Sequence, residues 1–320
     1  MGNVIVSNIT RTPVENGSNW GSVAAPSSGL ATPDLFYDDF GSGDFSATGG
    51  TAINTVDFDW GQDVRVQVVN KTTSIWEGSG SIDVPLVDPI PANWDPITGS
   101  NALKFKYKAD GSGNSDEQKW SELRFDANTA QTSMYVGYWV RVPSNYSRAN
   151  ADGGSQNNKW FDMLWGFVGD GSSTDYTDGN LPRLEMQDTL GSASACNINM
   201  QVRQQGANGF ENSTSYTDFI TPADAGRWMH CVYYLGESSG TDVADAKLRF
   251  WRRWEDEETY TLINSLDNLV IQNTVGSGTN GWSGGYLMGY ANGTYVADTN
   301  WCIDAMSMWS SDPTNGDLTP

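Results

Sequence analysis

The 320-residue chain carries 39 acidic against 18 basic residues, a net charge of −21. That balance excludes nucleic acid and anionic membrane surfaces as main partners, since both repel it. With 35 glycines, 14 tryptophans and abundant Ser, Thr and Asn, the composition suits strands joined by turns and disfavours long helices.

Residues 1–33 hold one short apolar run, Val4-Ile5-Val6, among Ser, Asn, Pro and Gly. They read as an extended N-terminal arm with too little apolar surface to fold alone, so a neighbouring subunit is its expected support. The first residues lack the basic and apolar regions of a signal peptide, and Val6 breaks a myristoylation pattern. No apolar run reaches membrane-spanning length. The expectation is synthesis in the cytoplasm, with Cys196, Cys231 and Cys302 as buried free thiols.

Residues 34–312 read as one domain. Leu35 to Phe40 is the opening strand, and 41–62 is turn-rich. Asp63 to Val69 alternates as a strand with Val64, Val66 and Val68 on one face. Four prolines make 71–101 an irregular excursion with a short strand near Ile82 to Leu86. Strands follow at Ala102 to Tyr107, Trp120 to Phe125, Ser133 to Val142, Lys159 to Phe167, Pro182 to Gln187 and Asn197 to Gln204. Further ones lie at Arg227 to Leu235, Ala246 to Trp254, Thr259 to Leu262, Gly285 to Tyr290 and Trp301 to Trp309, and 313–320 is a C-terminal tail. About a dozen short strands separated by turns predict an all-β, two-sheet antiparallel jelly-roll sandwich.

The domain is organised around Trp120-Ser121-Glu122-Leu123-Arg124-Phe125. Alternation puts Ser121, Leu123 and Phe125 on one face, and Trp120, Glu122 and Arg124 on the other. Later strands repeat the pattern, extending a polar and aromatic row through Trp139, Arg141, Trp160, Asp162, Arg183, Glu185, Gln187, Asn199, Gln201 and Arg203. Trp120, Glu122, Arg124, Arg141, Trp160, Glu185, Gln187, Gln201 and Arg203 are the glycan-binding candidates, because aromatic faces beside planar hydrogen-bonding groups suit sugars. A solvated sheet face produces the same residue types, and recurrence of the pattern over at least four strands is what favours the groove.

Several stretches resemble the concanavalin-like jelly-roll superfamily of lectins, laminarinases and alginate-lyase-like polysaccharide lyases. They are Phe36-Tyr37-Asp38-Asp39-Phe40, Trp120-Ser121-Glu122-Leu123-Arg124, Gly226-Arg227-Trp228-Met229-His230, Tyr286-Leu287-Met288-Gly289-Tyr290 and Trp301-Cys302-Ile303-Asp304. The resemblance spans residues 35–312 and implies structural Ca²⁺ between the opening and closing strands, held by Asp304 with Asp38 or Asp39. Against the lyase pattern R-S-E-L-R, residues 121–124 match and Trp120 replaces the leading Arg; Tyr286 or Tyr290 stands for the family's Tyr. The Q-x-H element is missing, and the pattern places the single histidine, His230, on the opposite sheet. The laminarinase carboxylate pair is absent too, since Glu185 shares its face with Gln187 and Asp188 points away.

These readings make the chain a non-enzymatic component of a larger assembly, of the virion decoration or fibre kind. Its arm would meet other subunits, and its jelly roll would present a glycan-binding face at the virion surface. The alternatives are a lyase cleaving an acidic polysaccharide by β-elimination and a free carbohydrate-binding module.

Overall fold

Arg65 takes a left-handed conformation, φ 53°, within a run whose valines alternate as though one strand ran through it. The kink divides the run into β3 (Phe58–Val64) and β4 (Val66–Asn70), which enter different sheets. A β-region backbone cannot accommodate positive φ. Alternation predicted a single strand over 63–69, and the turn at Arg65 is what the pattern concealed.

The computed structural model describes residues 29–43, 45, 53–70, 96–99, 101–107, 120–143, 145–146, 158–165, 182–190, 195–204, 210–240, 242–272, 281–291, 295 and 299–320. The expected arm up to residue 28 and the expected strand near Ile82 lie outside them. Among the described residues the only helical turn is a 3-10 segment at Pro222–Asp224.

One sheet contains β1 (Phe36–Asp38), β2 (Ile53–Asn54), β4, β5 (Asn101–Tyr107), β7 (Met134–Arg141) and β13 (Trp228–Leu235). It is completed by β14 (Ala246–Trp254), β15 (Thr261–Leu269) and β17 (Thr299–Trp309). Its order is β15-β14-β13-β7-β17-β1-β2, with β5 also on β17 and β4 on β5. The second sheet contains β3, β6 (Trp120–Gln131), β8 (Lys159–Trp165), β9 (Arg183–Leu190), β10 (Cys196–Arg203), β11 (Glu211–Asn212), β12 (Tyr216–Ile220) and β16 (Trp282–Tyr290). Its order is β11-β10-β9-β8-β16-β6-β3, with β12 also paired to β10. All the pairings between these strands are antiparallel. The fold is therefore the two-sheet jelly-roll sandwich that the strand spacing predicts.

One continuous apolar core lies between the sheets. Leu123 and Phe125 of β6 meet Phe161, Met186, Ile198, Tyr233, Phe250 and Leu287 there. Phe161 stacks on Tyr233 at 4.4 Å, and Tyr233 on Phe250 at 4.7 Å. Such burial, worth roughly 1.5–3 kcal/mol per large apolar side chain, fixes strand register and hence which residues face outward. The three cysteines are buried and free, as expected.

Residues near both ends of the domain are pinned together. The Ala31 amide donates to the Pro313 carbonyl at 2.6 Å, and Trp309 Nε1 donates to the Ala31 carbonyl at 2.9 Å. Leu318 is fully buried against Tyr135, Val232, Trp251 and Trp309, with Tyr135 Oη donating to its carbonyl at 3.0 Å. The segment read as a tail is thus part of the packed molecule.

Candidate functional site

Alternation along β6 sends Ser121, Leu123 and Phe125 into the interior and leaves Glu122 and Arg124 on the other face of the second sheet. Arg124 Nε donates to Glu122 Oε1 at 2.6 Å, and the half-buried Trp120 donates through Nε1 to Glu122 Oε2 at 3.0 Å. Glu122 is thereby clamped between an aromatic and a guanidinium.

Two strands away, antiparallel register sets Asp162 of β8 opposite Glu185 of β9 and Tyr286 of β16. Arg183 of β9 ties them together. Its Nε donates to Asp162 Oδ2 at 2.6 Å, and its Nη2 reaches Glu185 Oε2 at 2.8 Å and Tyr286 Oη at 3.0 Å. Lys159 Nζ closes the group on Glu185 Oε2 at 2.8 Å. Gln187 lies further along β9, and Asn199, Gln201 and Arg203 stand opposite Gln187, Glu185 and Arg183 on β10.

This is no solvated face. Glu122, Arg124, Glu185 and Gln187 are 3–7% exposed, and Asp162 is fully buried. Burial pushes the Asp162 carboxyl up to about 6; Arg183 opposes this and Glu185 adds to it. Burial also holds the Tyr286 phenol well above its ordinary 10, reinforced by Asp162. Burial alone would lower the Arg183 pKa, but Asp162, Tyr286 and Glu185 more than reverse that, so the guanidinium stays charged. Buried ions persist only when paired, and Arg124, Arg183 and Lys159 each have a carboxylate beside them.

Gly289 makes room for the group. A Cβ there would stand 3.0 Å from the Tyr286 ring, 3.2 Å from Lys159 Cβ and 3.5 Å from Glu122 Oε2. The backbone of β16 bends at this point, with Met288 at φ 57° and Gly289 at φ 153°.

Three expected members of the row belong elsewhere. Trp160 lies in the core, packed edge-on against Trp301 at 4.8 Å and Phe219 at 5.6 Å. A bulge between Lys159 and Phe161 in the pairing with β9 shifts the alternation there. That bulge also brings Lys159 to the polar face, a member that simple alternation missed; two adjacent large aromatics in one strand were the available signal. Arg141 is on β7, in the other sheet, opposite Trp228 and Cys302. Trp139 shares that sheet. Composition alone could not assign β7 to a sheet.

His230 also lies in the other sheet, as the resemblance implied. It is buried, accompanied by Tyr260 Oη 2.6 Å from Nδ1, and burial with help from Arg253 lowers its pKa to about 3. It is neutral and remote from the row.

The proposed calcium ligands are engaged by donors of the chain itself. Asp38 accepts from the Phe40 amide and Trp60 Nε1, and Asp39 from the Gly41 amide. Both oxygens of Asp304 accept donors from Thr98 or Ala305. Among the described residues no group of three or more His, Cys, Asp or Glu side chains is placed to hold a metal ion. These residues do not fit a Ca²⁺ cage, which wants six to eight oxygens on one ion.

The strand order defines a two-sheet antiparallel jelly roll, and the buried ionic row is a built polar site on one of its sheets. No protein-family profile and no curated protein matches the sequence. Among solved structures, the chain is similar to a marine PL-14 alginate lyase from Aplysia kurodai, with 10% identity, 67% of this chain and 84% of that one covered, and a TM-score of 0.48. An alginate lyase from a Chlorella virus gives 10% identity, coverage of 65% and 84%, and a TM-score of 0.40. A xylan β-1,4-xylosidase from Bacillus halodurans gives 7% identity over 87% of this chain and 39% of that one, with a TM-score of 0.44.

Proposed function

We propose that the row on the second sheet is the floor of a saccharide-binding groove. On this reading the chain is a non-enzymatic, glycan-binding component of a larger assembly, of the virion decoration or fibre kind. The observation that supports binding is that the row is buried and internally neutralised. Arg124 is spent on Glu122, Arg183 on Asp162 and Glu185, and Lys159 on Glu185. Such a floor presents rigid, planar donors and acceptors to sugar hydroxyls, with the Trp120 ring at one end for stacking. β-Elimination instead needs a cation for the uronate carboxylate and a base of accessible pKa. Tyr286 is held well above 10, and His230 is neutral on the opposite sheet. The assembly role rests on the composition of residues 1–33.

One observation favours a second reading, lyase action on an acidic polysaccharide. Lys159 and Tyr286 converge on the space above Gly289, and the Lys159 side chain is 29% exposed. Incubation with alginate, glucuronan and neutral glycans, following both binding and the absorbance of unsaturated product, decides between them. The binding reading expects a flat absorbance trace and retention on at least one glycan, lost in Trp120→Ala. Product that disappears in Tyr286→Phe and Arg124→Ala would establish the lyase. An arm-deleted chain that still assembles would remove the assembly role.

A further inference from the structure

The outward face of the first sheet holds a second cluster, separate from the row. Register aligns Arg253 of β14 with His230 of β13 and Trp139 of β7. The guanidinium of Arg253 lies 5.7 Å from the Trp139 ring centre and 5.0 Å from that of Tyr260. Trp139 and His230 pack at 4.8 Å, and Tyr260 Oη is 2.6 Å from His230 Nδ1.

Arg253 is 6% exposed, yet its Nε and Nη2 have no hydrogen-bond partner. These two nitrogens form one edge of the guanidinium, whose parallel N–H bonds match the two oxygens of a carboxylate. Ring contacts engage the face of the cation and leave that edge unanswered. The chain is not short of acids, with 39 Asp and Glu for 18 Lys and Arg. Nearby, Arg249 pairs with Asp267 and Arg227 with Asp224 and Asp256. Arg253 alone on this face combines deep burial with an unpartnered bidentate edge among the described residues.

We propose that Arg253 is the anchor of a second ligand site, one that takes a small carboxylate. The carboxylate lies on the Nε/Nη2 edge, and its apolar or ring body rests against Trp139 and Tyr260. His230, neutral and bonded to Tyr260, serves as a polar wall and not as a second cation.

His230 is the single histidine of the chain, so its ring resonances in a heteronuclear NMR spectrum are assigned without ambiguity. The full-length protein is titrated at neutral pH with acetate, glucuronate, inorganic phosphate and methyl glucoside at constant ionic strength. The expected result is a saturable shift of the His230 ring signals with acetate and glucuronate, and a smaller or linear response to the other two. Arg253→Lys keeps the charge but removes the bidentate edge, and weakens binding at least tenfold. Arg253→Met abolishes it. Unchanged far-ultraviolet spectra and cooperative melting of both variants keep that comparison valid. If either variant unfolds, a carboxylate-dependent rise in the wild-type melting temperature, absent with chloride, takes its place. A His230 signal that does not respond to carboxylates, or responds equally in Arg253→Met, overturns the assignment. Saturation by phosphate and not by carboxylates overturns the ligand class.

Discussion

At the scale of single residues, the row and the His230 cluster treat ionisable groups in opposite ways. In the row, Arg183 serves two carboxylates at once, and Arg183→Ala would strand Asp162 and leave Glu185 to Lys159 alone. The expected loss is about 3–5 kcal/mol, the usual consequence of leaving a buried charge without its partner, read from urea midpoints. Arg183→Ala combined with Asp162→Asn should recover part of it. His230 has the reverse problem, being buried without charge. Its folded pKa, about 3, lies below the unfolded value near 6.5. The unfolded chain therefore binds the extra proton between those pH values, and stability is lost as pH falls through that window. Asp162, raised to about 6, works against this between its unfolded value near 4 and 6, since there the folded state holds the extra proton. Subtracting the pH–stability curve of His230→Asn from that of the wild type isolates the histidine. The wild-type-minus-variant difference should fall steadily as pH drops below 6.5, and a flat difference would mean the imidazole is not buried neutral.

At the scale of elements, strand centres were legible and strand faults were not. Cys196–Arg203 alternates buried and half-buried residues without interruption, as Ile198, Met200 and Val202 against Asn199, Gln201 and Arg203 foretold. The two faces of β6 were equally readable, because Leu123 and Phe125 leave no other choice of interior. The kink at Arg65 and the bulge at Trp160 were invisible, since each is settled by pairing with residues distant in sequence. Thr261–Leu269 was foreshortened in the reading because its Asn, Ser and Asp residues hide the apolar positions Ile263 and Leu269. β16 shows how tight such pairing is. A Cβ on Gly285 would lie 2.0 Å from the Asp162 carbonyl oxygen and 2.9 Å from the Phe125 ring. Gly285→Ala should therefore force the central strands β8 and β16 apart and cost about 1–3 kcal/mol or more. A thermal midpoint within error of the wild type would show that the strands can slide to accept it.

At the scale of the whole molecule, the sandwich is closed by its most distant strands, with Phe36 opposite Met308 and Tyr37 opposite Ser307. Pairing across so much sequence slows folding, because loop closure precedes any reward. The polar segment 313–320 read as a C-terminal tail. The structure instead seats Leu318 in an aromatic pocket on the outer face of the first sheet. Sequence could not reveal this, since one leucine among Asp, Thr and Gly carries no periodicity. Removing residues 313–320 should lower stability by about 2–5 kcal/mol, as for loss of a buried leucine, while leaving the polar row on the opposite sheet intact. An unchanged denaturation midpoint would return those residues to the status of a tail.

The contacts of Ala31 with Pro313 and Trp309 also carry a mechanical consequence. Tension applied between residues 29 and 314 would load that junction directly, bypassing the long ladders of β6, β7, β13 and β16. A jelly roll tethered at this corner would yield first at a few hydrogen bonds and keep both of its sheets registered under the pull.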